Sequence, residues 1–160
     1  QYSQAGLKDT VPLYSAFTVD SLSLPRLKDL AFGSLMTQFW APDLPTPVTK
    51  IFVQDYRKKY GRYPTFYAAQ SYDTIMLIDS AVRAVNGNLS DKDGMRTAMR
   101  RAAFPSVRGS FKYGNNHFPI QNFYLRKVIK DSDGNYTTRI VKTVYTNHQD
   151  PYAKDCKMSW

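Results

Sequence analysis

Apolar residues follow two regimes along this chain. Between residues 48 and about 102 they recur every three or four positions, and after Pro105 they crowd into extended runs. Val48, Phe52, Tyr56 and Tyr60 fall at i, i+4 spacing with Ile51 beside them, while Lys50, Arg57 and Lys58 lie off that stripe. This predicts an amphipathic helix that Gly61 ends. A longer helix is predicted over residues 66–85, with Thr65 at its cap and Tyr72, Ile75, Met76, Ile78, Val82 and Val85 as its buried face. Asn86, Gly87 and Asn88 terminate it. Ser90 with Asp93 resembles a capping box, opening a third helix through Met95 and Met99 to Ala102. In the second regime, residues 120–129 and 136–145 read as strands. Asp131, Ser132, Asp133 and Gly134 join them, and Asp-Gly is a hairpin turn pair.

Upstream of residue 48 the elements are shorter. Residues 11–17 form an apolar run that predicts a buried strand. A helix is expected to start near Ser23, with Pro25 in its first turn, and to reach residue 32, where Gly33 stops it. Residues 34–40 read as a second strand, and Pro45 and Pro47 mark a connection. Strands alternating with helices predict an α/β fold with a parallel sheet and flanking helices. The late hairpin would give that sheet a mixed edge.

The length of 160 residues is that of one ordinary domain, and the 42% hydrophobic and 22% charged fractions suit a folded chain. The formal charge of +9 is spread along the sequence. Its densest groups, Arg57-Lys58-Lys59 with Arg62 and Arg96 with Arg100-Arg101, sit on predicted helices and read as solvated faces. No apolar run is long enough to cross a bilayer. We expect no signal peptide within these residues, and the opening at Gln1 without a Met leads us to expect an upstream segment that has been removed. The lone Cys156 cannot form an internal disulfide.

Catalytic and metal chemistry find little support. His117 and His148 have no second ligand at metal spacing and flank predicted turns. There is no Gly-x-Ser-x-Gly and no phosphate loop, and the Asp-x-Asp-Gly of the hairpin lacks the Glu that would complete a calcium loop. We expect no enzyme, no metal and no cofactor. What remains is aromatic and polar residues at element ends: Phe17 and Thr18 after the first strand, Trp40 ending the second, and Tyr67 and Gln70 opening the long helix. In open α/β sheets, ligands bind at the carboxyl ends of strands, and aromatic walls suit a small, partly apolar ligand. Core packing is the competing reading for Phe17 and Trp40. Packing of a helix start is the competing reading for Tyr67 and Gln70.

Several stretches carry a family resemblance when taken in order. They are residues 11–20 (VPLYSAFTVD), 40–43 (WAPD), 52–62 (FVQDYRKKYGR), 64–73 (PTFYAAQSYD), 108–111 (RGSF), 119–125 (PIQNFYL) and 155–158 (DCKM). Together they resemble the C-terminal part of type I periplasmic solute-binding proteins of branched-chain amino-acid ABC transporters, and more narrowly the branch that takes aromatic acids. The resemblance implies two α/β lobes joined by crossing segments. Residues 1–38 would be part of the second lobe, 39–118 a hinge crossing and helices of the first, and 119–160 a further crossing and the remaining strands of the second. It also implies a periplasmic protein that binds a small carboxylate, an aromatic acid or branched-chain amino acid, and docks on a membrane permease. Phe17 stands where leucine-type binders carry an acidic residue for the ligand ammonium, which argues for a carboxylate lacking an amine. Phe17, Thr18, Trp40, Tyr67 and Gln70 would line the cleft. A ligand-sensing domain of the same fold and a small basic nucleic-acid-binding protein are the alternatives. The first lobe's strands are absent from the chain. The three helices are therefore expected to bury their apolar faces against another copy, as a homo-oligomer or through exchanged elements.

Overall fold

A computed structural model describes residues 1–158; Ser159 and Trp160, at the end of the 119–160 segment, lie outside the described residues. The elements are β1 (Tyr14–Ala16), α1 (Leu24–Leu27) with a 3₁₀ turn (Lys28–Leu30), β2 (Leu35–Gln38), α2 (Pro47–Tyr60), α3 (Phe66–Ala84), α4 (Lys92–Arg101), β3 (Lys112–Tyr113), β4 (Pro119–Lys130), β5 (Tyr136–His148) and a final 3₁₀ turn (Ala153–Asp155). The fold is mixed α/β, with an open sheet in the order β1-β2-β4-β3 and β5 also paired to β4. β1 and β2 are parallel, and every pairing of β4 is antiparallel. No helix among the described residues is long and apolar enough to cross a membrane.

Local chemistry explains the element ends. Thr46 and Thr65 cap α2 and α3 by accepting from Thr49 N and Ala68 N. Gly61 closes α2 in the left-handed conformation at φ 66°. The third helix differs from the expectation: Asp91, not Ser90, is the cap, accepting from Gly94 N at 2.9 Å. The expected helix to residue 32 stops early because Lys28 turns to φ 46°, leaving four α-helical residues and a 3₁₀ turn. β1 is shorter than the run 11–17 and is not buried: Val11, Leu13 and Tyr14 are all exposed. It pairs only with β2, so neither a second neighbouring strand nor a covering layer hides its apolar residues.

Two cores result. One gathers Phe39, Trp40, Leu44, Val53, Phe66, Ala69, Val107 and Tyr124, where α2 and α3 meet the sheet. The smaller joins Leu24, Ala31, Met36 and Val128 beneath α1. The face of α3 that points into the first core is not the one that periodicity suggested. α3 buries Phe66, Ala69, Asp73 and Ala81, while Tyr72, Ile75 and Ile78 of its expected buried face are exposed, Ile75 by 66%. α2 buries Thr49 and Val53, packs Val48 and Phe52 of its expected stripe against the same core, and leaves Ile51 exposed. α3 is therefore the helix that holds apolar residues outward.

The β4–β5 turn is fastened to α2. Tyr63 Oη donates to Asp131 Oδ2 at 2.9 Å. Arg57 reaches Asp131 at 3.5 Å and Asp133 at 3.3 Å, and its guanidinium lies 4.3 Å from the Tyr63 ring centre. Burial, then the bond to Asp131, pushes the Tyr63 hydroxyl from its usual 10.0 up to about 12. The folded chain therefore keeps a proton that the unfolded chain releases. That contribution to stability is fully present below pH 10.0 and is lost as pH climbs through about 12. In urea denaturation across this window, we expect stability to fall with pH, and expect Tyr63→Phe to flatten that slope.

Candidate functional site

Phe17 directly follows β1 and has a positive φ of 59°. A bulky side chain in the left-handed region is an outlier that the surrounding structure must enforce, and such strain concentrates where a side chain must be aimed. Its ring is 42% exposed, yet it packs on two others. The centroids lie 5.8 Å from Phe39 and 5.6 Å, edge-on, from Phe66. Phe39 and Phe66 are 6.1 Å apart and nearly perpendicular. Tyr67 overlaps Phe66 at 3.9 Å and is itself 58% exposed. The result is an aromatic face with a dry base, Phe39 and Phe66, and two rings open to solvent.

Of the residues singled out from sequence, Phe17 and Tyr67 meet on this face through Phe66. Thr18 and Gln70 are exposed beside their neighbours, Thr18 next to Phe17 and Gln70 one turn along α3 from Tyr67. Trp40 is not on the open face. It is 1% exposed, and its indole Nε1 donates to the Val107 carbonyl at 3.0 Å, so it acts as core beneath the site. Phe39 and Phe66 complete the face and were not singled out. Phe39 directly precedes Trp40 in the chain.

One short segment holds these parts together. The Val107 carbonyl accepts from Trp40 and also from Thr49 Oγ1 of α2 at 2.7 Å. Val107 N donates to Asp73 Oδ1 of α3 at 2.9 Å. The other Asp73 oxygen accepts from Ser106 Oγ at 2.6 Å and from Arg108 Nε at 2.7 Å. Arg108 goes on to Gln121 Oε1 of β4 at 3.3 Å. Its guanidinium stacks 4.2 Å from the Phe111 ring centre and 5.7 Å from Phe39. Asp73 and Arg108 side chains are 2% and 9% exposed, so the pair is buried and fully hydrogen-bonded at the carboxylate. Removing the carboxylate in Asp73→Ala would strand the Arg108 cation and the Val107 N–H. We expect a loss of about 3–5 kcal/mol in urea denaturation.

Comparison with known proteins places this geometry in context. The sequence pattern of the family described as periplasmic binding protein matches residues 1–135. The Leu/Ile/Val-binding protein homolog 6 of Brucella abortus (strain 2308) is 30% identical over 161 residues, covering 96% of this chain and 40% of its own length. A solute-binding protein of an ABC transporter from R. palustris, solved in complex with benzoate, superposes with a TM-score of 0.83 at 28% identity, over 98% of this chain and 41% of that one. Another, from Rhodopseudomonas palustris BisB5 in complex with 3,4-dihydroxy benzoic acid, gives 0.80 at 27% identity, over 94% and 41%. The chain thus spans about 40% of the length of the curated relatives it matches.

Proposed function

Given that the chain belongs to the periplasmic binding protein family, we propose that it is part of the solute-binding component of an ABC importer and takes an aromatic carboxylate. The observation that carries this reading is the half-open aromatic face, with Phe17 held in a left-handed conformation. Flat rings at this spacing offer stacking and edge contacts to a planar apolar ligand. Thr18 and Gln70 supply polar groups at the rim. Two relatives solved with benzoate-type acids add support. In this reading residues 1–38 and 119–160 form one lobe, 39–118 supply a crossing and the helices of another, and the ligand lies between lobes that close on it. The protein works in the periplasm, delivers its ligand to a membrane permease, and performs no chemistry on it.

A branched-chain amino acid is the second reading, and the name of the Brucella abortus relative favours it. An ammonium group wants a carboxylate, and the aromatic face offers Phe17 at that place. Titration calorimetry of the intact protein with benzoate and with leucine separates the two. We expect heat with benzoate and none with leucine, and a loss of about tenfold or more in benzoate affinity for Phe17→Ala. Leucine binding alone would reject the aromatic reading.

The exposed apolar residues of α3, with Ile51 and Tyr60 of α2, need a cover, since exposed apolar area costs about 25 cal/mol per Å². We infer that a second copy of the chain supplies it when the 160-residue chain is alone. Sedimentation of that chain at micromolar concentration should give a dimer or larger species; a monomer would overturn this.

A further inference from the structure

Bordered by Phe66 of the aromatic face and by Trp40 lies a small cavity that the proposed function does not use. Its walls come from the turn after β1 (Asp20, Ser21), from the connection into α3 (Tyr63, Phe66), and from β4 and β5 (Arg126, Thr138). It is polar in an otherwise apolar region. Arg126 is 1% exposed and Asp20 is 8% exposed. Arg126 spends Nη1 on Thr138 Oγ1 at 3.1 Å, and Asp20 spends Oδ1 on Leu22 N at 2.9 Å. Arg126 Nε and Nη2, Asp20 Oδ2 and Ser21 Oγ are buried without a partner in the protein. Buried groups of this kind are normally hydrogen-bonded, to ordered water where no protein group reaches. An uncompensated buried charge is costly enough that it does not persist unpartnered.

Size and chemistry restrict what can answer them. The space open to the centre of a small molecule is about 10 Å³, close to the minimum that admits one water. The cation needs an acceptor and the carboxylate needs a donor. A halide would satisfy Arg126 and repel Asp20; a metal cation would do the reverse. Water both donates and accepts, and the two opposite charges leave no excess to attract an ion. Burial pulls the Arg126 pKa down to about 10, and the Asp20 carboxylate is the leading charge that opposes it.

We propose that Asp20 and Arg126 form a buried ion pair bridged by a single ordered water, and that this bridge positions the turn carrying Phe17 and Thr18. Asp20 is the anchor of that turn. Its carbonyl accepts from Ser23 N at 3.0 Å and from Leu24 N at 2.9 Å, and Ser23 Oγ reaches back to the Thr18 carbonyl at 3.4 Å. Through the bridge the turn is tied to β4, the central strand. The water site stands on the cavity alone; its effect on ligand affinity rests on the reading of the aromatic face as the ligand site.

A high-resolution crystal structure of the intact protein tests the site directly. We expect one water within hydrogen-bonding distance of both Asp20 Oδ2 and the Arg126 guanidinium. Direct contact of Asp20 with Arg126, a halide in that position, or no density between them would overturn the proposal. A double-mutant cycle in urea gives a second test. Asp20→Asn and Arg126→Met each leave one buried charge alone, and each should lower the folded-to-unfolded ratio by about a hundredfold or more. The double variant should cost clearly less than the product of the two, and simple multiplication of the two losses would overturn the coupling. The positional effect is read from benzoate titration of Asp20→Asn beside Asp93→Asn, which removes an exposed carboxylate of α4 that lies outside the cavity. A weaker affinity in Asp20→Asn with Asp93→Asn near wild type is expected; equal affinities in both and in wild type would refute positioning while leaving the water site to the crystal structure.

Discussion

The backbone of Val107 is the point at which four separate elements meet. Its carbonyl takes bonds from Trp40 and Thr49, its amide gives one to Asp73, and Arg108 next to it reaches Gln121. Trp40 follows the end of β2, Thr49 lies in α2, Asp73 in α3 and Gln121 in β4. Each group is buried or nearly so, and a buried polar group costs free energy unless its partner is in place. The loop can satisfy all of them in one arrangement only. That requirement sets the depth of Trp40, and with it the position of Phe39 and the angle at which α3 presents Phe66 and Tyr67. The aromatic face therefore inherits its geometry from a polar clamp, although none of its own rings carries a charge.

The same clamp accounts for the unusual distribution of apolar residues on the helices. α3 turns Asp73 inward to reach the loop, and small residues such as Ala69 and Ala81 accompany it. The larger residues on the other side, Ile75 and Ile78, then face outward. A helix with two unlike faces, one narrow and polar-anchored, the other broad and apolar, is built to sit between two layers. Among the described residues, Ile75 and Ile78 on that other face stay open.

The helices and the hairpin were legible in the sequence for local reasons. Thr65, Gly61 and the Asp133-Gly134 pair act on their own backbone neighbours, so their effect survives without knowledge of the fold. The buried side of α3 was not legible, because a period of three to four residues shows that a stripe exists and not what covers it. Asp73, a lone carboxylate between Tyr72 and Ile75, was the available hint that the inward face was the other one. Among the candidate residues, Phe17 and Tyr67 stand out in sequence by their place at element ends. Trp40 stood between a lining and a core reading in sequence, because its partner, the Val107 carbonyl, is 67 positions away. Arg108 stood in a stretch that carried the family resemblance, but nothing local revealed that its charge is matched by a residue 35 positions away.

The account places ligand on the open side of Phe17 and Tyr67. The most direct measurement is a crystal structure of the intact protein with benzoate. The account predicts the benzoate ring in contact with Phe17 and Tyr67, above Phe39 and Phe66, with Trp40 still bonded to Val107 below. Benzoate held elsewhere, with the aromatic face in contact only with protein, would contradict it.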